Sequence, residues 1–382
     1  MRLIAIITLL SLLAYPTYAE EGGTDLPSLA AGVIDTTQTE TLGLHRQANV
    51  ETITIFSPTD STHHYANGVV MTAFKDVLYC MWQSSPTDED SPETCVMYSK
   101  SRDEGHTWEA PKVLAHANDT AYCTSGGWIA HNDTLTAFIN VWPLGLKTIG
   151  GYTYFMESND GILWSELKPV TMYDGSVMKG VIEQDPYTLP SGRVVGAAHF
   201  QPGLHVAPIY TDDPTGCSGW HIGEMTTHDR GKQTRELEPS IYRRPDGTLV
   251  MLFRDQASSY RKMASWSRDN GASWTEPELT NIPDARVKQS AGNLTDGTPF
   301  MVGCFTGNKR RFPLVLLQSS DGICFNKAAL LRSGGDDLPQ QRYEGKAKTL
   351  GYSYPKSIDY HRRLYITYST NKEIVEVTIF NY

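Results

Sequence analysis

From residue 50 to the C-terminus, apolar and polar positions alternate in short runs, and each run stops at Gly, Asp, Asn, Ser or Pro. The first such run, Val50-Glu51-Thr52-Ile53-Thr54-Ile55-Phe56, has the two-residue period of a strand. Further runs at 68–74, 77–83, 95–99 and 112–114 form a group around one turn. The same order returns at 127–130, 135–142, 152–157 and 169–172. It recurs at 186–189, 193–200 and 207–210, at 240–243, 248–254 and 262–267, and at 290–294, 299–305 and 314–318. A last group, 353–359, 363–369 and 373–380, has three runs and no following turn. β-Branched and aromatic residues crowd these runs and helical periodicity is almost absent, so the chain is predicted to be all-β.

The turns set the period. Ser101-Arg102-Asp103-Glu104-Gly105-His106-Thr107-Trp108 and Ser267-Arg268-Asp269-Asn270-Gly271-Ala272-Ser273-Trp274 share Ser, Asp, Gly and Trp at equal spacing. Shorter forms occupy 158–164 and 319–325, and a degenerate one 212–220. The closing aromatics Trp108, Trp164, Trp220, Trp274 and Phe325 stand 56, 56, 54 and 51 residues apart. A near-constant period of this size marks a repeat architecture. Asp accepts from the backbone of its own loop and Gly takes the positive φ of the reversal, so the motif is a structural turn. It resembles the Asp box of sialidases and other β-propellers, which implies a single β-propeller domain over 44–382. Strand counting gives six blades. The 50–56 strand supplies the one missing from the last group and so closes the ring.

The N-terminus changes the expected location. Met1-Arg2, an apolar run from Leu3 to Ala14 and Thr17-Tyr18-Ala19 before Glu20 make a secretory leader over 1–19, and 20–43 is expected to be a tail. The mature protein is therefore expected to be exported, periplasmic or extracellular. No run is long enough for a membrane span. A net charge of −10 argues against a general nucleic-acid binder but leaves room for a local cationic pocket. Six cysteines allow fifteen pairings, with no CxxC spacing for zinc.

Candidate chemistry lies where the repeats differ. Glu238-Pro239-Ser240-Ile241 leading to Arg254 resembles a sialidase segment whose Glu and Arg enter the substrate cleft, and Tyr352-Ser353 resembles the segment carrying the sialidase tyrosine. A carboxylate beside a phenol eases proton transfer, and Arg254 can grip a carboxylate through two bonds. The alternative is a simple Glu238–Arg254 ion pair. A true sialidase needs three arginines around one carboxylate; the usual Arg-Ile-Pro segment is missing and 290–297 holds no arginine, so the sequence argues against one.

A second resemblance spans residue 43 to the C-terminus. Phe74 to Tyr79, Trp82-Gln83-Ser84, Asp88-Glu89-Asp90-Ser91-Pro92, Lys309 to Leu314, Arg342 to Lys346 and Tyr365 to Val377 are similar to secreted polysaccharide-degrading propellers. These are the α-L-rhamnosidases of glycoside hydrolase family 145 and the rhamnose–glucuronate and ulvan lyases. The resemblance implies seven blades and an acidic polysaccharide or oligosaccharide substrate. It also implies release of terminal L-rhamnose linked to glucuronic acid in an arabinogalactan-type glycan. It points to catalysis on the face opposite the sialidase site, with His45 as the base and Arg46 binding a glucuronate carboxylate; Gln47 competes with His45 for the family's catalytic position. Lyase-type β-elimination is the alternative, with His199, Arg254 and Tyr352 as its set, because the lyase histidines fall here at 65–68 and at Ser84 or Ser85. A carbohydrate-binding propeller without catalysis is the third reading. His106, His116, His131 and His228 are expected on the surface. Lys309-Arg310-Arg311 is either a solvated cationic hairpin or a contact for acidic glycan. Asp88, Glu89 and Asp90 are hard oxygen donors suited to calcium, although a polar loop explains them equally.

Overall fold

A computed structural model of the chain describes residues 25–184 and 186–382. The leader expected at 1–19 lies outside the described residues. The described strands form five sheets of four, one sheet of five and one two-stranded pair, and the six larger sheets are the six blades of a β-propeller. Six blades follow from the strand count, and the seventh implied by the family 145 resemblance is not among the described residues.

Blade 1 comprises Tyr65–Phe74, Val77–Ser85, Cys95–Ser101 and Lys112–Ala115. Blade 2 comprises Ala121–His131, Thr134–Pro143, Tyr152–Ser158 and Lys168–Pro169. In blade 3 the inner strand is broken: Gly180–Val181 and Tyr187–Thr188 both pair with Val194–Phe200, followed by His205–Thr211 and His221–Ile222. Blade 4 is Glu236–Arg243, Leu249–Asp255, Arg261–Ser267 and Glu278–Pro283. Blade 5 is Ser290–Asn293, Pro299–Gly303, Leu314–Gln318 and Lys327–Arg332. Blade 6 is Tyr352–Tyr360, Arg363–Thr370 and Ile374–Asn381, completed by Val50–Phe56 antiparallel to Ile374–Asn381. Val50–Phe56 covers the outer edge of Ile374–Asn381 and is itself the outermost strand of blade 6.

Alternation drives the packing. In Leu249–Asp255, Val250 and Leu252 face blade 5, whereas Leu249, Met251 and Phe253 face blade 3. In Val77–Ser85, Val77, Tyr79 and Met81 face blade 2, and Leu78, Cys80 and Trp82 face blade 6. Strands buried on both faces are apolar on both, and each seam between blades is one cluster of this kind. Each fully buried Leu or Val contributes about 1.5–3 kcal/mol to such a seam.

The repeated turns button neighbouring blades together. Asp103 Oδ1 accepts from the Ser101 hydroxyl (2.8 Å) and the Thr107 N–H (2.9 Å), and Trp108 Nε1 donates back to the Gly105 carbonyl. Asp269 repeats this with Ser267 and Ser273. The turn glycines press on the preceding blade, and Gly161 shows how tightly. Its φ is +65°, and a Cβ there would lie 2.0 Å from Tyr79 Oη.

The stretch expected as a tail is a strap over its described part. Ser28–Leu29 pairs in parallel with Cys324–Phe325, and Leu42 is fully buried in the seam between blades 4 and 5. All six cysteines are free thiols. Among the described residues no helix is long and apolar enough to cross a membrane.

Candidate active site

The inner strands of four blades are interrupted at equivalent places. Register shifts occur at Asn67/Val70, Ser125/Gly127, Leu237/Ser240 and Ser353/Lys356. A bulge adds a residue and re-aims its side chain. In blades 4 and 6 the bulged residues are Glu238 and Tyr354, with φ of +54° and +56°. A non-glycine residue in this region costs roughly 1–2 kcal/mol, so surrounding contacts must hold it there.

The two bulges bring Tyr354 Oη within 2.7 Å of Glu238 Oε1, and the phenol donates to the carboxylate. Arg254, from the second strand of blade 4, donates through Nη1 to both Glu238 oxygens at 3.0 Å. Lys288 Nζ lies 4.9 Å, Lys372 Nζ 5.6 Å and Arg311 Cζ 5.9 Å from the centre of the Tyr354 ring. Three of these four cations already have acidic partners: Arg254 has Glu238, Lys288 has Glu183 (3.6 Å) and Lys372 has Glu89 (2.8 Å). Among the described residues Arg311 pairs with no carboxylate; its Nη1 donates to Ser353 Oγ at 2.9 Å. A cleft of about 210 Å³ opens beside the pair. Glu89, Asp90, Glu183, Glu238, Lys288 and Tyr354 line its charged half, and Trp142, Ile149 and Leu204 line an apolar wall.

The surroundings set the protonation states. Burial alone would raise the Glu238 carboxyl, but Arg254, Lys288 and the bonds from Tyr354 and Arg254 outweigh it and hold it down at about 2. Burial, then the Glu238 charge, pushes the Tyr354 phenol well above its usual value. The resting pair is therefore a phenol on a carboxylate. Asp90 goes the other way. Over a third of its surface reaches solvent, yet crowding in the cleft and the adjacent Glu89 charge push its carboxyl up to about 6.

The expected residues are distributed unevenly. Glu238 and Arg254 meet at the axis. Tyr352 does not join them: it is fully buried between blades 5 and 6, and its hydroxyl donates to the Ser333 carbonyl at 2.7 Å. Strict alternation would put residues 352 and 354 on one side, and the bulge between them separates the two roles. His199, expected to contact substrate in the lyase set with Arg254 and Tyr352, is instead buried behind Glu238 and accepts its N–H at Nε2 (3.2 Å). His45 and Arg46 lie exposed on the rim, where Arg46 bridges to Leu330 of the outermost strand of blade 5 and pairs with Asp337. The structure does not bring them to the Glu238 cleft. Asp88 accepts from the Lys346 N–H, and Glu89 is held by Tyr65 Oη (2.6 Å) and Lys372, so two of the three proposed calcium donors have other partners. Tyr354, Lys288 and Lys372 were missed in the sequence; the one local signal was a second tyrosine in Tyr352-Ser353-Tyr354. His228 is half-buried and bonds Glu236.

The BNR repeat-like domain family matches residues 76–366, and the chain belongs to it. No protein of curated function matches the sequence. Among solved structures, one titled "Sialidase" is similar with a TM-score of 0.65 at 15% identity, covering 93% of this chain and 35% of that one. The Hadza microbial sialidase Hz136 is similar with a TM-score of 0.67 at 14% identity, covering 86% and 68% of the two chains. The Trypanosoma rangeli sialidase in complex with sialic acid gives 0.61 at 14% identity, covering 93% and 59%. This chain thus spans about a third of the first of these relatives, and at such identities the likeness is one of fold.

Proposed function

We propose that the protein is a glycoside hydrolase that removes a terminal, carboxylate-bearing sugar from a glycan, with Tyr354 as nucleophile and Glu238 as its base. The observation that carries this reading is the 2.7 Å Tyr354–Glu238 bond inside a ring of cations. Tyrosine nucleophiles are the exception among glycosidases and are the sialidase solution. A neutral phenol can approach an anionic sugar without the repulsion a carboxylate nucleophile would meet. The substrate carboxylate would sit at Arg311, the cation without an acidic partner, with Lys288 and Lys372 nearby.

The chemistry balances on residues present. Tyr354 Oη bonds to the anomeric carbon as the glycosidic C–O bond breaks; the phenolic proton passes to Glu238 and the Asp90 proton to the leaving oxygen. Positive charge developing at the anomeric carbon acidifies the phenol at that moment. Water then attacks the tyrosyl–sugar bond, Asp90 takes the water proton, and Glu238 returns its proton to the departing phenolate.

Sialosides come first to test, since sialidases are the named structural neighbours, and glucuronides second. The rhamnose–glucuronate reading with His45 as base shares the anionic substrate but not the site. One panel separates the readings: sialosides, glucuronides and a rhamnosyl-glucuronate arabinogalactan, with sugar release and ultraviolet absorbance read together. Release of the carboxylate sugar without absorbance supports the proposal. Rhamnose release surviving Glu238→Gln places the activity at His45, new absorbance indicates elimination, and binding without turnover of any member leaves a binding propeller.

A further inference from the structure

The bulge that aims Glu238 at the axis also removes its backbone groups from the strand ladder, and side chains from two other blades take them up. The Glu238 N–H donates to Nε2 of His199, from the second strand of blade 3. The Glu238 carbonyl accepts from Nε2 of Gln289, which precedes the inner strand of blade 5. Gln289 Nε2 also reaches Ser240 Oγ (3.0 Å) and the Leu252 carbonyl (2.9 Å), spanning the gap the bulge opens. Its own orientation is fixed, because Oε1 accepts from Lys262 Nζ at 2.6 Å and Lys262 is paired with buried Asp284 at 2.7 Å. His199 has no such backing. Among the described residues its buried Nδ1 has no hydrogen-bond partner, nor has Oε1 of Gln184, with which it shares a water-sized cavity of about 20 Å³.

Accepting at Nε2 requires that this nitrogen carry no hydrogen, which fixes the imidazole as neutral with its proton on Nδ1. We propose that His199 is a positioning residue for Glu238, holding the strained backbone at the bulge so that the carboxylate meets Tyr354, and that protonation of His199 releases this hold. The inference rests on the reading of Glu238 as the base of Tyr354. A protonated ring presents N–H to N–H at Glu238, so the bond becomes a repulsion. The charged groups facing the ring are Glu183 and Glu238, which favour protonation, and Lys288 and Arg254, which oppose it; burial is the largest influence and keeps the ring neutral near pH 7. The switch therefore falls on the acid side, apart from the alkaline loss expected from Asp90.

The test uses the full chain in three forms: wild type, His199→Gln and His199→Phe. Gln can place an acceptor near the Nε2 position and does not titrate, whereas Phe keeps the ring and removes the acceptor. With any substrate the wild type turns over, His199→Phe is expected to lose about 100-fold in kcat with KM little changed, the size of effect that misplacing a catalytic group brings. His199→Gln is expected to recover most of that rate and to lose the acid limb of the kcat/KM profile. A Gln variant as poor as Phe, or one keeping the wild-type acid limb, overturns the proposal. If no anionic sugar is turned over, the functional reading fails, and nitrogen-15 NMR of the imidazole still decides the structural half. A neutral ring protonated at Nδ1 at pH 7, titrating below the usual histidine range, is expected; a ring protonated at Nε2 or doubly protonated at pH 7 refutes it.

Discussion

Replacing Tyr354 by Phe removes a single oxygen, and the structure says what that oxygen does. The ring stays wedged among Lys288, Lys372 and Arg311, so the fold keeps its packing. The lost bond is a 2.7 Å contact to a buried, ionised carboxylate. A hydrogen bond to a charged group is worth about 1.5–3 kcal/mol. At about 1.4 °C per kcal/mol for a chain of this size, Tm should fall by about 2–4 °C. If Tyr354 is the nucleophile, activity should fall far more, by at least about 1,000-fold in kcat, or about 4 kcal/mol, because the bond-forming atom is gone. Tyr352→Phe is the control: it loses a neutral bond to the Ser333 carbonyl, about 1 kcal/mol, and should keep its turnover. The assay is hydrolysis of fluorogenic sialosides and glucuronides beside differential scanning calorimetry. Trapping with a 2- or 3-fluoro sugar and peptide mass analysis should place the adduct on Tyr354. Turnover by Tyr354→Phe within tenfold of wild type, or an adduct elsewhere, would refute the reasoning.

Two further outcomes follow from Asp90 in the cleft and from the buried Lys262–Asp284 pair. Asp90 must be protonated to assist the leaving group, so kcat/KM should decline as pH rises through about 6. Asp90→Asn should abolish that limb and spare substrates with activated aryl leaving groups; an unchanged alkaline limb would assign it to another group. Lys262→Met would leave Asp284 buried without its cation and should cost about 3–5 kcal/mol in urea unfolding, with Lys262→Met/Asp284→Asn recovering part of the loss. Equal losses in the single and double variants would mean that the pair is not what holds Gln289 in place.

The architecture was legible in the sequence because it rests on repetition. The Asp–Gly turns recur at a near-constant spacing, and each makes the same bonds within its own loop. The closing strand at Val50–Phe56 was legible for the related reason that the last repeat lacked one. The likeness that implied a seventh blade rested on short sequence runs, which carry no count of strands, whereas the described strands pair into six blades. The site was legible only in part. Glu238 and Arg254 lie in one hairpin, so their sequence separation of 16 carries the contact. Tyr354 and Arg311 come from other blades, and the turning-in of Tyr354 depends on a positive φ that a tyrosine does not advertise. Asp90 was weighed as a metal ligand because sequence shows a carboxylate but not the crowding that shifts it.

Glu238 shows why stability alone cannot tell a catalytic pair from a structural one. Its carboxyl falls from about 4.5 to about 2 in the folded protein, so ionisation favours folding. Such a group adds its full stabilisation above its unfolded value and loses it as pH drops toward the folded one. The stabilisation is therefore present above about pH 4.5 and is lost as pH falls towards about 2. Urea midpoints for wild type and Glu238→Gln should differ most above pH 5 and converge as pH approaches 2; a constant gap would contradict the Arg254–Glu238 linkage. A purely structural ion pair predicts the same convergence. It does not predict that Tyr354→Phe, with Glu238 and Arg254 both intact, stops turnover. The strained backbone at residues 238 and 354 points the same way, because an ion pair alone needs neither bulge, whereas a phenol set on a carboxylate across two blades needs both.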